Sequence, residues 1–386
     1  SQDPFDHHGS LYRVDCPEYF PLLIAHSCRP VDVLPMTLDE LESAINAWLS
    51  QGATDIFLSE DQRTRVRING EVVPVADSTM SRQDLSHLWK ACEIDPASTN
   101  EIDSRYQMKD GGYIRANLYR AMGNLSAAIR PIKAIIPPLD SLGLPTDLIR
   151  HWIHRRSGLI LVTGTTGSGK STTLASALQE LNENRQNHII TLEDPIEYLF
   201  QNKKSFFSQR EINSDTAKFS TALRASLRQN PDVIMIGEIR DEETAQLALR
   251  ASETGHLVMS TLHSSGVVES IERLGNLFPE NHGATSRMLL SRQLVGVINQ
   301  NLLPGTDGSL KLVSEYLQNE GAVRGWIRDG RYHDIIDHLQ RPQDAQTRNM
   351  LTSIVEIYHQ GLISEDIARD AAPNPGDFDR QIRGIS

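Results

Sequence analysis

Gly164-Thr165-Thr166-Gly167-Ser168-Gly169-Lys170-Ser171 satisfies the pattern G-x-x-x-x-G-K-[ST] at every fixed position. An apolar run, Gly158–Thr163, precedes it, and a helix-forming stretch follows. That is the context a phosphate-binding loop requires. Its glycines let backbone N–H groups turn inward without Cβ clashes. The helix N-terminus adds partial positive charge. Lys170 is suited to reach the β- and γ-phosphates of a nucleotide, and Ser171 to offer its hydroxyl to Mg²⁺. Thr172 stands in the same first turn and is grouped with the phosphate-binding set. The competing reading is a Gly/Ser-rich turn that matches by accident, and the flanking strand and helix weigh against it. A nucleotide and Mg²⁺ are therefore the expected ligands, although kinases, GTPases and motors all share such a loop.

Three further segments end in polar groups that chemistry on a phosphate would use. Asp232-Val233-Ile234-Met235-Ile236 is an apolar strand followed by Gly237-Glu238. In an open parallel sheet that strand end lies at the ligand-binding edge. Glu238 would there hold Mg²⁺ through water or orient the attacking water. His188–Leu192 leads to Glu193-Asp194-Pro195, so Glu193 or Asp194 reaches the same edge and could polarise water. His256–Leu262 leads to His263, whose imidazole could sense the γ-phosphate. Each has a plainer reading: a solvated acid, an Asp-Pro turn, a structural histidine. Their recurrence at neighbouring strand ends favours function.

Arginine is the side chain best shaped to bridge phosphate oxygens. Arg115, Arg120 and Arg130 fall on or near two strands upstream of the loop, and Arg224 and Arg228 share a helix face before Glu238. Residue type alone leaves a surface role ahead for all five.

The elements that must position these groups divide the chain. Residues 1–36 are an irregular arm, opened by Ser1-Gln2-Asp3-Pro4, which reads as an expression scar. Residues 37–131 read as an α+β domain. Thr37 and Glu40 form a capping box before Leu38, Leu41, Ile45 and Leu49. Asp55–Leu58 reads as a strand, and Asn69-Gly70 between Arg65–Ile68 and Glu71–Val73 as a hairpin turn. Leu85, Leu88 and Trp89 suggest another helix, and Tyr113–Tyr119 and Ser126–Arg130 two further strands. Residues 132–147 are rich in proline and read as a stiff linker. From 148 to 386 apolar strands alternate with amphipathic helices, the pattern of a mostly parallel sheet covered on both faces. Helices are expected at Ser171–Asn182, Phe219–Gln229 and Asp241–Glu253, and the segment 264–386 is expected to be mainly helical, with one strand at Lys311–Tyr316.

With 386 residues, 39% hydrophobic and 23% charged, the composition is that of a soluble globular chain of two or three domains. There are 50 acidic against 38 basic residues, a net charge of −12. That charge argues against a dedicated nucleic-acid binder. No signal-peptide or membrane-spanning pattern is seen. Cys16, Cys28 and Cys92 form neither a C-x-x-C pair nor a four-cysteine zinc site, which fits a reducing compartment.

Taken together, Gly164–Ser171, Thr191–Tyr198, Asp232–Asp241 and Thr254–Ser264 resemble the Walker A, Asp box, Walker B and His box of the secretion ATPase superfamily. That superfamily comprises the PilT, GspE and type IV secretion ATPases. Ala53–Ser59 and Arg67–Glu71 resemble its PAS-like N-terminal domain. The resemblance spans about 37–340. It implies an α/β fold: a RecA-like P-loop NTPase domain preceded by a PAS-like α+β domain. It also implies a homo-hexameric ring, with ATP between the two domains of a protomer. Glu193 and Glu238 would be the essential acids, and Arg115, Arg120 and Arg130 would approach the γ-phosphate. Hydrolysis would drive domain rotation. The implied place is the bacterial cytoplasm, at the inner membrane through secretion-system components and a second ATPase.

The four-cysteine zinc insert of the type II and pilus-assembly branches is absent. Ala322–Asp329, AVRGWIRD, stands where the retraction motors carry AIRNLIRE. The short chain with an N-terminal arm most resembles the type IVB (Dot/Icm) and conjugation branch. Pilus retraction and a nucleic-acid translocase are the alternatives; the latter predicts salt-sensitive strand binding.

Overall fold

The computed structural model describes residues 35–68, 70–279, 283–341 and 345–384. The arm up to residue 34, with Cys16 and Cys28, and the turn residue Asn69 lie outside them. The chain separates into two units, 1–132 and 133–386.

The first unit begins at α1 (Leu38–Ser50). Thr37 Oγ1 accepts from the Glu40 N–H while Glu40 Oε2 accepts from the Thr37 N–H at 2.8 Å, the expected reciprocal cap. β1 (Asp55–Ser59), β2 (Arg63–Ile68) and β3 (Glu71–Thr79) follow, then α2 (Arg82–Ala91), β4 (Glu101–Gln107), β5 (Tyr113–Ala121) and β6 (Asn124–Ile132). The strands form one antiparallel sheet in the order β3-β2-β1-β6-β5-β4. Leu41, Ile45, Leu85, Leu88 and Trp89 of the helices share a core with Ile56, Leu58, Ile114, Leu118 and Ile129 of the strands. The unit is α+β. Strand β4 was not expected, because EIDSRYQ is polar and sits at the sheet edge.

In the second unit the proline-rich stretch forms a short 3₁₀ turn at Leu139–Ser141, and α3 (Thr146–Ile153) leads into β7 (Gly158–Thr163). The chain continues through α4 (Lys170–Asn184), β8 (His188–Glu193), β9 (Phe206–Glu211), α5 (Phe219–Ser226), β10 (Val233–Ile236), α6 (Glu242–Glu253), β11 (Leu257–Leu262), α7 (Val267–Asn276) and α8 (Gly283–Gln293). It closes with β12 (Leu294–Pro304), β13 (Leu310–Gln318), α9 (Ala322–Asp329), α10 (Tyr332–Leu339), β14 (Thr347–Arg348), α11 (Met350–His359), α12 (Glu365–Ala371) and α13 (Pro375–Ile382).

The eight strands order as β14-β13-β12-β7-β11-β10-β8-β9. Pairings from β12 to β9 are parallel, and β13 and β14 add antiparallel. Every residue of β7 is buried. Leu159 and Leu161 enter one core with α6 and α7, while Ile160 and Val162 enter the opposite core with α3 and α4. Two cores on two faces explain why these strands are apolar throughout rather than alternating.

One expectation needs correcting. The stretch Leu294–Pro304 is an eleven-residue strand in the body of the sheet, not part of a helical tail. Its first seven residues are all buried, so no two-residue alternation marks them as a strand, and a buried helix reads the same way.

Candidate active site

The phosphate loop springs from the end of β7. Gly164 has φ +141°, and a Cβ there would meet the Gln300 carbonyl oxygen at 2.3 Å and Ser168 Oγ at 2.5 Å. Gly169, the residue before α4, has φ +88° and offers no side-chain acceptor to the helix. The first-turn N–H groups of α4 are thus left for an anion. Ser168 Oγ is buried without a hydrogen-bond partner. Lys170 Nζ donates to the Gly164 carbonyl at 3.0 Å and the Thr165 carbonyl at 2.7 Å. Burial holds its pKa below the usual lysine value, partly offset by Glu197 and Glu238. Thr165, Thr166 and Gly167 form the exposed tip of the loop. Ser171 donates its hydroxyl to Glu197 Oε1 at 2.8 Å, and Thr172 is 2.8 Å from the Tyr198 hydroxyl.

The strand ends close the opposite side. Glu193, at the end of β8, is buried, and burial pushes its carboxyl up to about 7. Thr191 Oγ1 donates to its Oε1 at 2.6 Å and Gln209 Nε2 at 3.2 Å, both opposing that rise. Beyond β10, Glu238 pairs with Arg240 through Oε1, and His263 Nε2 lies 3.6 Å from Oε2. Burial and the nearby Lys170 lower the His263 pKa. Asp241 caps α6, accepting from the Thr244 N–H at 2.8 Å, which fixes where the chain leaves the site. Lys170, Ser171, Glu193, Glu197, Glu238 and His263 all line one cavity of about 310 Å³.

Of the five arginines, Arg115, Arg120 and Arg130 belong to the first unit and Arg224 and Arg228 to the second. Arg115 and Arg130 face each other across β5 and β6. Arg115 Nη2 donates to Asp103 Oδ2 at 3.0 Å, and Arg130 Nε donates to Asp55 Oδ1 at 2.9 Å. Arg120 is set apart, donating to the carbonyls of Gly123 at 3.0 Å and Pro96 at 2.7 Å. Arg224 pairs with Glu243 at 2.7 Å, and Arg228 is exposed; neither lines the cavity.

Sequence reasoning passed over five residues that the structure brings in. Glu197 and Arg240 stand inside the quoted motifs, yet carried no role. Gln209 lies on the unexpected β9. Asn299 and Gln300 lie on the unexpected β12, where Asn299 Nδ2 donates to Thr163 Oγ1 and to the Ser264 carbonyl, both at 3.0 Å. The one available signal was a polar N-Q-N triplet interrupting an apolar run.

An orphaned hydroxyl, open helix amides and a lysine facing carboxylates fit a nucleotide triphosphate. The oxygen donors of Ser171 and Glu238 fit Mg²⁺. Among the described residues no group of three or more His, Cys, Asp or Glu is placed to hold a metal by itself. The fold and this cradle define a RecA-like P-loop ATPase.

The profile of the Type II/IV secretion system protein family matches residues 126–346. The type IV pilus retraction ATPase PilT of Pseudomonas aeruginosa is 34% identical over 333 residues, covering 85% of this chain and 96% of that one. A crystal structure of the pilus retraction motor PilT with bound ADP superposes with a TM-score of 0.82 at 38% identity, covering 89% and 99% of the two chains. The Legionella pneumophila ATPase DotB gives a TM-score of 0.73 at 27% identity, covering 88% and 97%. The chain belongs to the Type II/IV secretion system protein family, and it is an ATPase.

Proposed function

We propose that this chain is the Mg²⁺-dependent motor subunit of a type IV machine. In this reading it works as a homo-hexamer in the bacterial cytoplasm, docked at the inner membrane through components of that machine. The observation that carries the reading is the convergence of Lys170, Glu193, Glu238 and His263 on one cavity at the carboxyl ends of adjacent parallel strands.

Lys170 and the loop amides bind the phosphates. Ser171 and Glu238 would hold Mg²⁺, which when bound neutralises charge on the phosphate oxygens. Glu193 takes the proton of the attacking water; a carboxyl near 7 is matched to that task at neutral pH. His263, beside Glu238, senses the state of the terminal phosphate. Arg115, Arg120 and Arg130 supply positive charge to the transition state, a contribution that reaches about 10³–10⁵ in rate for arginine fingers. In this reading release of phosphate loosens the cage and lets the two units rotate, a motion that requires contacts that differ between the bound and released states.

Two processes could use this motion. The N-terminal arm and the departure at Ala322–Asp329 favour type IVB secretion or conjugation. The likeness to PilT, at higher identity and TM-score than to DotB, favours pilus retraction. Deleting the gene in its own bacterium and complementing it with Glu238→Gln separates them. Lost effector or DNA transfer with normal twitching supports the first; lost twitching with normal transfer supports the second. Normal behaviour in both overturns the motor reading.

A further inference from the structure

Behind the phosphate loop, on the side away from its exposed tip, stands Gln300 of β12. It is 1% exposed. β12 runs parallel to β7 with Asn299 opposite Thr163, which sets Gln300 beside the start of the loop. Both ends of its amide are engaged: Nε2 donates to the Ser168 carbonyl at 2.7 Å, and Oε1 accepts from Thr173 Oγ1 at 2.9 Å. The orientation of that amide is not arbitrary. A carbonyl oxygen only accepts, so the nitrogen must face Ser168, and the oxygen is left to the threonine hydroxyl. A Cβ on Gly169 would come within 3.1 Å of the same Nε2. One side chain thus touches the loop at Ser168 and Gly169 and the first turn of α4 at Thr173.

In a planar trans peptide the C=O and the following N–H point in opposite directions. Drawing the Ser168 carbonyl back to β12 therefore turns the Gly169 N–H away from β12. We propose that Gln300 is a positioning residue for nucleotide binding: it aims the Gly169 amide at the phosphates and locks the loop to the first turn of α4. The inference rests on the loop being the nucleotide site, and it adds a residue that no phosphate-loop motif contains.

Gln300→Glu is the discriminating substitution. It keeps size and shape but sets a second oxygen against the Ser168 carbonyl. Gln300→Met keeps the packing and removes both hydrogen bonds. MgADP binding to each, by titration calorimetry, is expected to weaken about tenfold or more, the scale of one or two buried hydrogen bonds. KM for ATP rises in parallel, and kcat at saturation changes much less. A merely structural glutamine would lower the melting temperature of the nucleotide-free protein and leave the MgADP Kd alone. A Kd within about twofold of the parent in a folded Gln300 variant overturns the proposal.

Should neither variant fold, Thr173→Val frees one end of the amide. It is expected to weaken MgADP about threefold, and an unchanged Kd there is equally fatal. Lys170→Ala is carried alongside. If it loses MgADP while the Gln300 variants do not, only this inference falls. If all of them bind like the parent, the cradle is not the nucleotide site and the larger reading falls with it.

Discussion

Thr191 donates its hydroxyl to Glu193 Oε1 across 2.6 Å, from two residues back on the same face of β8. Gln209 reaches the same oxygen from β9. A buried carboxylate is thereby held in one orientation, with burial raising its pKa to about 7 and these bonds limiting the rise. ATP turnover should fall as pH drops through about 7, since a protonated Glu193 cannot accept a proton. Glu193→Gln should cost about 10²–10⁴ in kcat. The folded-state pKa is raised, so this group stabilises the fold below its unfolded value and loses that contribution as pH rises through about 7. Thermal melts of Glu193→Gln should therefore exceed the parent at pH 8 and approach it at pH 5.

Lys170 and Glu238 separate binding from chemistry. Lys170→Ala should abolish turnover with weakened nucleotide binding. Glu238→Gln should retain ATP binding without hydrolysis. Steady-state phosphate release and equilibrium titration check both; parent-like turnover of Lys170→Ala would refute the site.

Arg240 is the cation paired with Glu238. Arg240→Ala removes that ion pair and leaves the carboxylate with His263 at 3.6 Å and the more distant charge of Lys170. A fall in kcat of about ten- to a hundredfold is expected, the range for a charge-assisted hydrogen bond, with MgADP affinity nearly unchanged. Single-turnover phosphate release measures it directly.

The three arginines of the first unit should not behave alike. Arg115 pairs with the exposed Asp103, and the exposed side chain of Arg130 pairs with the buried Asp55, which Arg67 also reaches at 3.4 Å. Arg120 is bound to two backbone carbonyls. Arg115→Ala and Arg130→Ala should lower kcat and leave the melting temperature near the parent. Arg120→Ala should show the smallest loss of kcat and the largest loss of melting temperature. Activity and melting curves on the same preparations test this ordering.

Gly164→Ala should destabilise the fold by about 2–4 kcal/mol, combining backbone strain with overpacking. Its Cβ has no room between the Gln300 carbonyl and Ser168 Oγ. Urea unfolding would register it, and a variant as stable as the parent would contradict the described loop geometry.

The legibility of the site followed its physics. The phosphate loop, Glu193, Glu238 and His263 were readable because strand ends in a parallel sheet share one edge, so spacing along the chain becomes proximity in space. Thr37 and Glu40 were readable because a cap is a local device. Gln300 was not, because its partners at Ser168 and Thr173 lie more than a hundred residues away in the chain and its strand is buried on both faces. Gln209 was hidden for a related reason: β9 is the edge of the sheet, and FFSQRE carries a weak strand signal. Contacts that β12 makes with β7 belong to the pairing of distant segments, and composition within either segment says nothing about its neighbour.

The strand that carries the phosphate loop is flanked by β11 on one side and β12 on the other. Leu303, near the end of β12, is packed with Ile354 and Phe378 of the last helices. A fragment that stops before Leu294 would strip β7 of a whole ladder of hydrogen bonds. Its naked margin would then invite strands from other molecules to zip alongside. The final stretch of the chain is in that sense masonry for the nucleotide cradle rather than an appendage to it.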